Sequence, residues 1–157
     1  MLATLSVTTT LDALDLDPGD GVCEIVGGGC SLRAAIQEIN ALDTAGAPHQ
    51  INLPAGTYGL TIEGSDESGS LTGDLNVRAS VAIVGAGAAN TTIDAGGIDR
   101  VLDVALGNVT IQGVTIRGGV VGADELDFEF TGGGIRNQAN LTLVDSVVTG
   151  NVAGSGA

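Results

Sequence analysis

Three sets of side chains in this chain have the type and spacing to do chemistry. The first is a run of carboxylates, Asp12, Asp15, Asp17 and Asp20, in a loop that also carries Pro18, Gly19 and Gly21. Hard cations such as calcium take several oxygen ligands from a flexible, Gly-containing loop, so this run is the candidate calcium site. Its spacing departs from an EF-hand, since no Glu stands at the last ligand position and no helices flank it. A solvated loop is the plainer reading. The second set is Arg100, Asp103 and Arg117, with Asp94, Asp99, Arg136 and Asp145 nearby in sequence. Glycoside hydrolysis uses two carboxylates roughly 5–9.5 Å apart, and a polysaccharide lyase uses a basic side chain beside carboxylates. Acids are frequent enough here that such a pair arises by chance, and each Arg more simply neutralises neighbouring acids on a stacked face.

The third set is Cys23 and Cys30, with Gly27-Gly28-Gly29 between them. The spacing is not that of a CxxC redox or zinc motif, and His49 is the one histidine. A structural disulfide is the favoured reading, and closing so short a loop contributes roughly 2–3 kcal/mol in the chain-entropy model. A disulfide implies an oxidising compartment. Met1-Leu-Ala-Thr4 lacks the basic and apolar regions of a signal peptide, so the expectation is a secreted or cell-surface protein whose leader lies outside this sequence. A Ser-His-Asp nucleophile is weaker still, because His49 follows Pro48 in what reads as a linker.

The element that must position these groups is a repeat. Asn108-Val-Thr-Ile-Gln-Gly-Val-Thr-Ile-Arg-Gly-Gly119 lies over Asn140-Leu-Thr-Leu-Val-Asp-Ser-Val-Val-Thr-Gly-Asn151 position by position. An apolar residue at every second place, then a bend and another short β-branched run, is strand-turn-strand chemistry. One such unit cannot bury its own apolar face and must stack on its copy. The fold expected is an all-β solenoid of about four short rungs. Gln50–Leu53 with Tyr58–Ile62 is the first. Leu75–Val77, Val81–Ile83 and Thr92–Ile93 form the second, and Val101–Val104, Val109–Ile111 and Val114–Ile116 the third. Ile135, Leu141–Leu143 and Val147–Val148 complete the fourth. Asn108 and Asn140 are expected to stack as a ladder; with Asn90 they also begin Asn-x-Thr glycosylation sequons.

Composition suits a narrow stacked core. Hydrophobic residues are 43% of the 157, yet aromatics are 2% and Gly numbers 26, which gives small apolar side chains with Gly at the bends and removes the usual sugar-stacking residues. The formal net charge of -14, with all five basic residues Arg, argues against nucleic acid and against an anionic membrane surface as partners. No apolar run approaches the roughly 18 residues of a membrane span.

Cys30-Ser-Leu-Arg-Ala-Ala-Ile-Gln-Glu-Ile-Asn-Ala-Leu42 is the one helix signal. Ser31 is placed as N-cap, and Leu32, Ala35, Ile36, Ile39 and Leu42 fall on one face. A helix with a single apolar stripe beside a solenoid is suited to cover its open end. Residues 1–50 are therefore expected to form an N-terminal cap (helix about 31–42) and 51–157 the rungs, all in one structural domain.

Thr8-Thr-Thr10, Gly19-Asp-Gly21 before Cys23, Cys30-Ser-Leu-Arg-Ala-Ala-Ile36, Ile51-Asn-Leu-Pro-Ala-Gly-Thr-Tyr58 and Gly73-Asp-Leu75 together resemble bacterial and archaeal extracellular proteins with a CSLREA-type N-terminal motif. The resemblance runs from about Thr8 to Asn151 and implies right-handed parallel β-helix repeats on an exported protein. The family's Glu after the motif's Arg is Ala34 here, so the return half of a capping box is lost. On that reading Ala34→Glu stabilises by about 0.5 kcal/mol.

Residues 120–130 read as a side insertion in which Leu126, Phe128 and Phe130 alternate with acids. They either pack on the flank or form a docking loop. No second cap follows the last rung, so Ile135, Leu141, Leu143 and Val148 form the candidate association edge, covered by another protomer or by further repeats of a longer parent. Contacts of this kind that do not close give fibres. The functional expectation is a cell-surface structural or adhesive module that self-associates end to end. The competing reading is a polysaccharide-binding or lyase-like enzyme built on Arg117, Asp103 and Arg100. The Gly-His-Gly and Arg-Ile-Lys signatures of polygalacturonase-like β-helices are missing.

Overall fold

The computed structural model describes residues 2–42, 48–65, 67–122 and 132–154. It is built from short parallel strands and one helix. The helix, α1, spans Leu32–Leu42. It starts where it does because the Ser31 hydroxyl accepts the Ala34 N–H at 3.0 Å, the N-cap geometry that satisfies a free first-turn donor.

The expected single apolar stripe is only half of what α1 presents. Leu32, Ala35, Ile36 and Ile39 face the core, but Arg33, Ala34, Gln37 and Glu38 are buried too. The loop running from Asp12 to Glu24 wraps the polar side. Asp12 pairs with Arg33 at 2.6 Å, the Asp15 N–H donates to Gln37, and the Gly19 and Gly21 N–H groups donate to the Glu38 carboxylate. Ser31 also donates to the Ala13 carbonyl. The Cys23–Cys30 disulfide, Cα to Cα 5.2 Å, closes the base of this wrap.

Ahead of the wrap is a short strand, β1 (Thr4–Ser6), and after α1 come β2 (His49–Leu53) and β3 (Gly56–Gly59). Next are β4 (Leu75–Val77), β5 (Val81–Gly85) and β6 (Thr91–Asp94), then β7 (Leu102–Val104), β8 (Asn108–Gln112), β9 (Thr115–Arg117) and β10 (Val120–Val121). The last strands are β11 (Ile135–Asn137), β12 (Asn140–Val144), β13 (Val147–Val148) and β14 (Val152–Ala153). They form four parallel sheets ordered β1-β2-β5-β8-β12, β3-β6-β9-β13, β4-β7-β11 and β10-β14. Chain order visits the same three larger sheets in the same sequence each time, and successive copies lie directly in register.

Because the side-chain period of a strand is two, register decides which residues meet in the core. Ile51 lies on Ile83 and Ile83 on Ile111; Tyr58 lies on Ile93 and Ile93 on Ile116; Leu75 lies on Leu102. All of these are buried. Glycines sit where the chain turns between sheets. Gly107, at φ +87°, precedes β8, and a Cβ there would stand 2.6 Å from the Ala79 carbonyl carbon.

Several expected boundaries move. Strand β1 ends at Ser6, after which Val7 turns into the core, donates to the Asn52 carbonyl and leads into the wrap. The strand expected over Tyr58–Ile62 ends at Gly59, since the Thr61 and Ile62 N–H groups turn to Asp12. Val120 and Val121 do not open an insertion. They form β10 and pair with β14. Leu126, Phe128 and Phe130 lie outside the described residues. His49 is not in a linker: it begins β2, is 1% exposed, and its Nδ1 accepts the Ala3 N–H.

Candidate functional site

The stacking that fills the core also defines where it stops. In the five-stranded sheet the column Ile51, Ile83 and Ile111 is 0% exposed at each level, and the next residue in register, Leu143, is 42% exposed. In the four-stranded sheet Ile93 and Ile116 are 0% exposed and Val148, one level on, is 45%. Leu141 and Ile135 continue the other columns and remain half-buried against the core.

Strands β11, β12, β13 and β14 each lie at the end of their sheet, so among the described residues their outer backbone edges carry no strand partner. Val147 and Val152 add exposed apolar surface. Fully burying a Val or Leu is worth roughly 1.5–3 kcal/mol, so the uncovered part of each is worth about 1 kcal/mol. The expected edge residues Ile135, Leu141, Leu143 and Val148 thus share one end of the stack.

The opposite end is covered. Helix α1 packs on β4 and β2, β1 adds to the edge of β2, and the start of the wrap passes over β3, where a Cβ on Gly56 would stand 3.1 Å from the Thr10 methyl.

The expected asparagine ladder is present: the Asn140 side-chain amide donates to the Asn108 side-chain carbonyl at 3.0 Å, between exposed residues. Asn90 is also exposed, its amide donating to the Ala86 carbonyl.

The aspartates of the Asp12–Gly21 loop face different tasks. Asp12 holds Arg33 and accepts the Thr61 and Ile62 N–H groups. Asp15 accepts the Leu16 and Glu24 N–H groups, and Asp20 accepts the Val22 N–H within its own turn. Among the described residues no three carboxylate, thiol or imidazole side chains gather into a metal-holding group, so Asp12, Asp15, Asp17 and Asp20 do not converge as the calcium reading required. Asp12 through its carboxylate and Asp15 through its backbone N–H fasten the wrap to α1. Burial foremost, and then the neighbouring Glu38, push the Asp15 carboxyl up from the ordinary carboxylate range.

Arg100 and Asp103 do come together, with a residue that motif reading passed over. Asp74 is 6% exposed, and Arg100 reaches it at 2.7 Å while standing 3.8 Å from Asp99. Asp103 lies 3.9 Å from Arg136 in the register Asn76–Asp103–Arg136. Burial, then the charge of Asp99, push the Asp74 carboxyl up to about 7 against the pull of Arg100. A carboxyl that titrates near neutrality beside a guanidinium has acid–base capacity. Its oxygens, however, are occupied by Arg100 and by the Asn76 amide. Arg117 is elsewhere, on β9, paired with Asp94 of β6 at 2.8 Å on an exposed face. The three residues of the enzyme reading are therefore split between two sheets.

No family model matches this chain, and no curated protein or solved structure matches it.

Proposed function

We propose that the chain is a right-handed parallel β-helix module with a structural role at or outside the cell surface, and that its open rung is an association surface. The observation that carries this is the column Ile51, Ile83, Ile111 and Leu143, buried at three levels and open at the fourth. A side chain of core type in core register is exposed only where the next rung is missing. A rung laid on β11–β14 would bury Leu143 and Val148 and pair the outer backbone edges at the same time. That rung comes from further chain or from a second copy.

The disulfide suits an oxidising compartment, and the resemblance to exported CSLREA-type proteins points the same way. The covered N-terminal end limits the assembly. A fibre needs two exposed ends, whereas an open rung meeting an open rung forms a closed pair about a two-fold axis. The reading is therefore of a pair, with fibres forming only if the cap is displaced.

Light scattering across a dilution series tests this. The predicted result is a reversible monomer–dimer equilibrium that Leu143→Lys and Val148→Lys abolish without unfolding the chain. A strict monomer at the highest concentration rejects association between copies.

A further inference from the structure

Outside the open rung, a trough that the structural role does not use runs from the α1 residues Gln37, Asn40 and Ala41 to the β4-β7-β11 sheet. Two hollows of about 400 and 350 Å³ adjoin there, each of small-molecule size. Both are lined by Ser68, Arg78 and Leu106. The first extends toward Asn40 and Leu71, the second toward Gln138 and two carboxylates that are already engaged, Glu67 by the Gly69, Leu71 and Thr72 N–H groups and Asp103 by Arg136.

Arg78 sets the chemistry. Arg33, Arg100, Arg117 and Arg136 each have a carboxylate within ion-pair distance. Arg78 has none among the described residues; its guanidinium donates only to the Ser68 hydroxyl and carbonyl, at 3.2 and 3.4 Å. It is exposed and stands where the two hollows join. On a chain of formal charge -14, an uncompensated guanidinium in a concavity is a specific place for one anionic group, held by the two-pronged geometry that suits carboxylate or sulfate.

The rest of the lining selects the body of the ligand. Leu71 and Leu106 are each 53% exposed, giving apolar surface for the C–H face of a sugar ring in a chain with few aromatics. The exposed Gln138 offers an amide to hydroxyl groups. A peptide would be held here by side chains alone, since the one open backbone edge of the β4-β7-β11 sheet, that of β11, belongs to the association edge. A nucleic acid would need several clustered cations rather than one.

We propose that this trough binds an anionic oligosaccharide, with a carboxylate or sulfate on Arg78, sugar rings over Leu71 and Leu106, and a hydroxyl on Gln138. The site centres on Arg78, which follows β4, and of these ligand contacts only Gln138 is on the same level as the association edge.

Titration calorimetry of the whole chain with tetragalacturonate, a sulfated glycosaminoglycan tetrasaccharide and neutral cellotetraose tests it. The expected result is binding of at least one anionic saccharide and not of the neutral one, weakened tenfold or more by Arg78→Ala and unchanged by Arg117→Ala. Gln138→Ala should weaken it by a smaller factor. Binding of the uronate alone assigns a carboxylate ligand, and binding of the sulfated sugar alone assigns a sulfate, each upholding the anion site. If Arg78→Ala melts early, Arg78→Gln serves in its place. No binding of either anionic sugar, equal binding of cellotetraose, or undiminished binding by both Arg78 variants overturns the proposal.

Discussion

Arg33 of α1 and Asp12 of the wrapping loop form an ion pair, Nε to Oδ1 2.6 Å, with their side chains 0% and 2% exposed. The same guanidinium donates to the carbonyls of Ser70, Gly73 and Asp74, and the same carboxylate accepts the Thr61 and Ile62 N–H groups. One pair therefore joins the cap, the helix and the two segments leading into and out of the first polar loop. Breaking a buried pair strands the remaining charge, at a cost of about 3–5 kcal/mol. Asp12→Asn is expected to lose stability of that order in urea unfolding. Arg33→Lys should lose nearly as much, because an ammonium cannot reproduce the planar fork that reaches Asp12 and three carbonyls together.

Ala34 reverses an expectation drawn from the sequence. The capping-box argument makes Ala34→Glu mildly stabilising. It assumes that the first turn of α1 is solvated on that side, but Ala34 is 0% exposed under the wrap. A glutamate there must bury its carboxylate or push the wrap away, so the expected change is a loss of about 2 kcal/mol or more. Thermal melting of the variant decides between the two, and a rise in Tm would mean that the wrap leaves this turn open.

Asp74 makes stability depend on pH in the less usual direction. Its folded-state carboxyl titrates at about 7, raised by burial first and by Asp99 next, whereas an unfolded Asp titrates near ~3.9. Between those values the folded chain holds the extra proton. Its stabilising contribution is fully present below about pH 4 and is lost as pH rises through about 7. Asp15 shifts in the same direction, again chiefly through burial. The difference in unfolding free energy between the parent chain and Asp74→Asn should therefore move against the parent as pH rises across that window. A difference that is flat with pH would place Asp74 in solvent.

The repeat was legible because its period is written in residue types. Asn108 and Asn140, Ile111 and Leu143, and Ile116 and Val148 meet in the register that alignment of the two segments suggests. Helix α1 and its Ser31 cap were legible for the same reason, since capping and helical spacing are local. Contacts created by stacking itself were not. Asp74, Asp99, Arg100 and Asp103 converge because β4 lies on β7, and nothing in the short stretch Gly73-Asp74-Leu75 announces that convergence. The acidic loop was legible only in part: Asp17 and Asp20 are exposed, as the plainer reading of a solvated loop has them, but what Asp12 and Asp15 do is set by Arg33 and Gln37, a helix away. Strand β10 was hidden by its brevity, since two valines become a strand only when Val152 and Ala153 lie beside them.

The open rung is the central claim, and amide hydrogen exchange on β12 tests it most directly. The Asn140 N–H donates inward to the Gly107 carbonyl, so by the alternation of a parallel ladder the Leu141 and Leu143 N–H groups point to the uncovered side. The account predicts that these two amides exchange rapidly in dilute solution and become protected as concentration rises, while those of the buried β8 stay protected throughout. Exchange at Leu141 and Leu143 that stays fast at every concentration would contradict association through this edge, and protection of both at the highest dilution would show that the edge is already covered within a single chain.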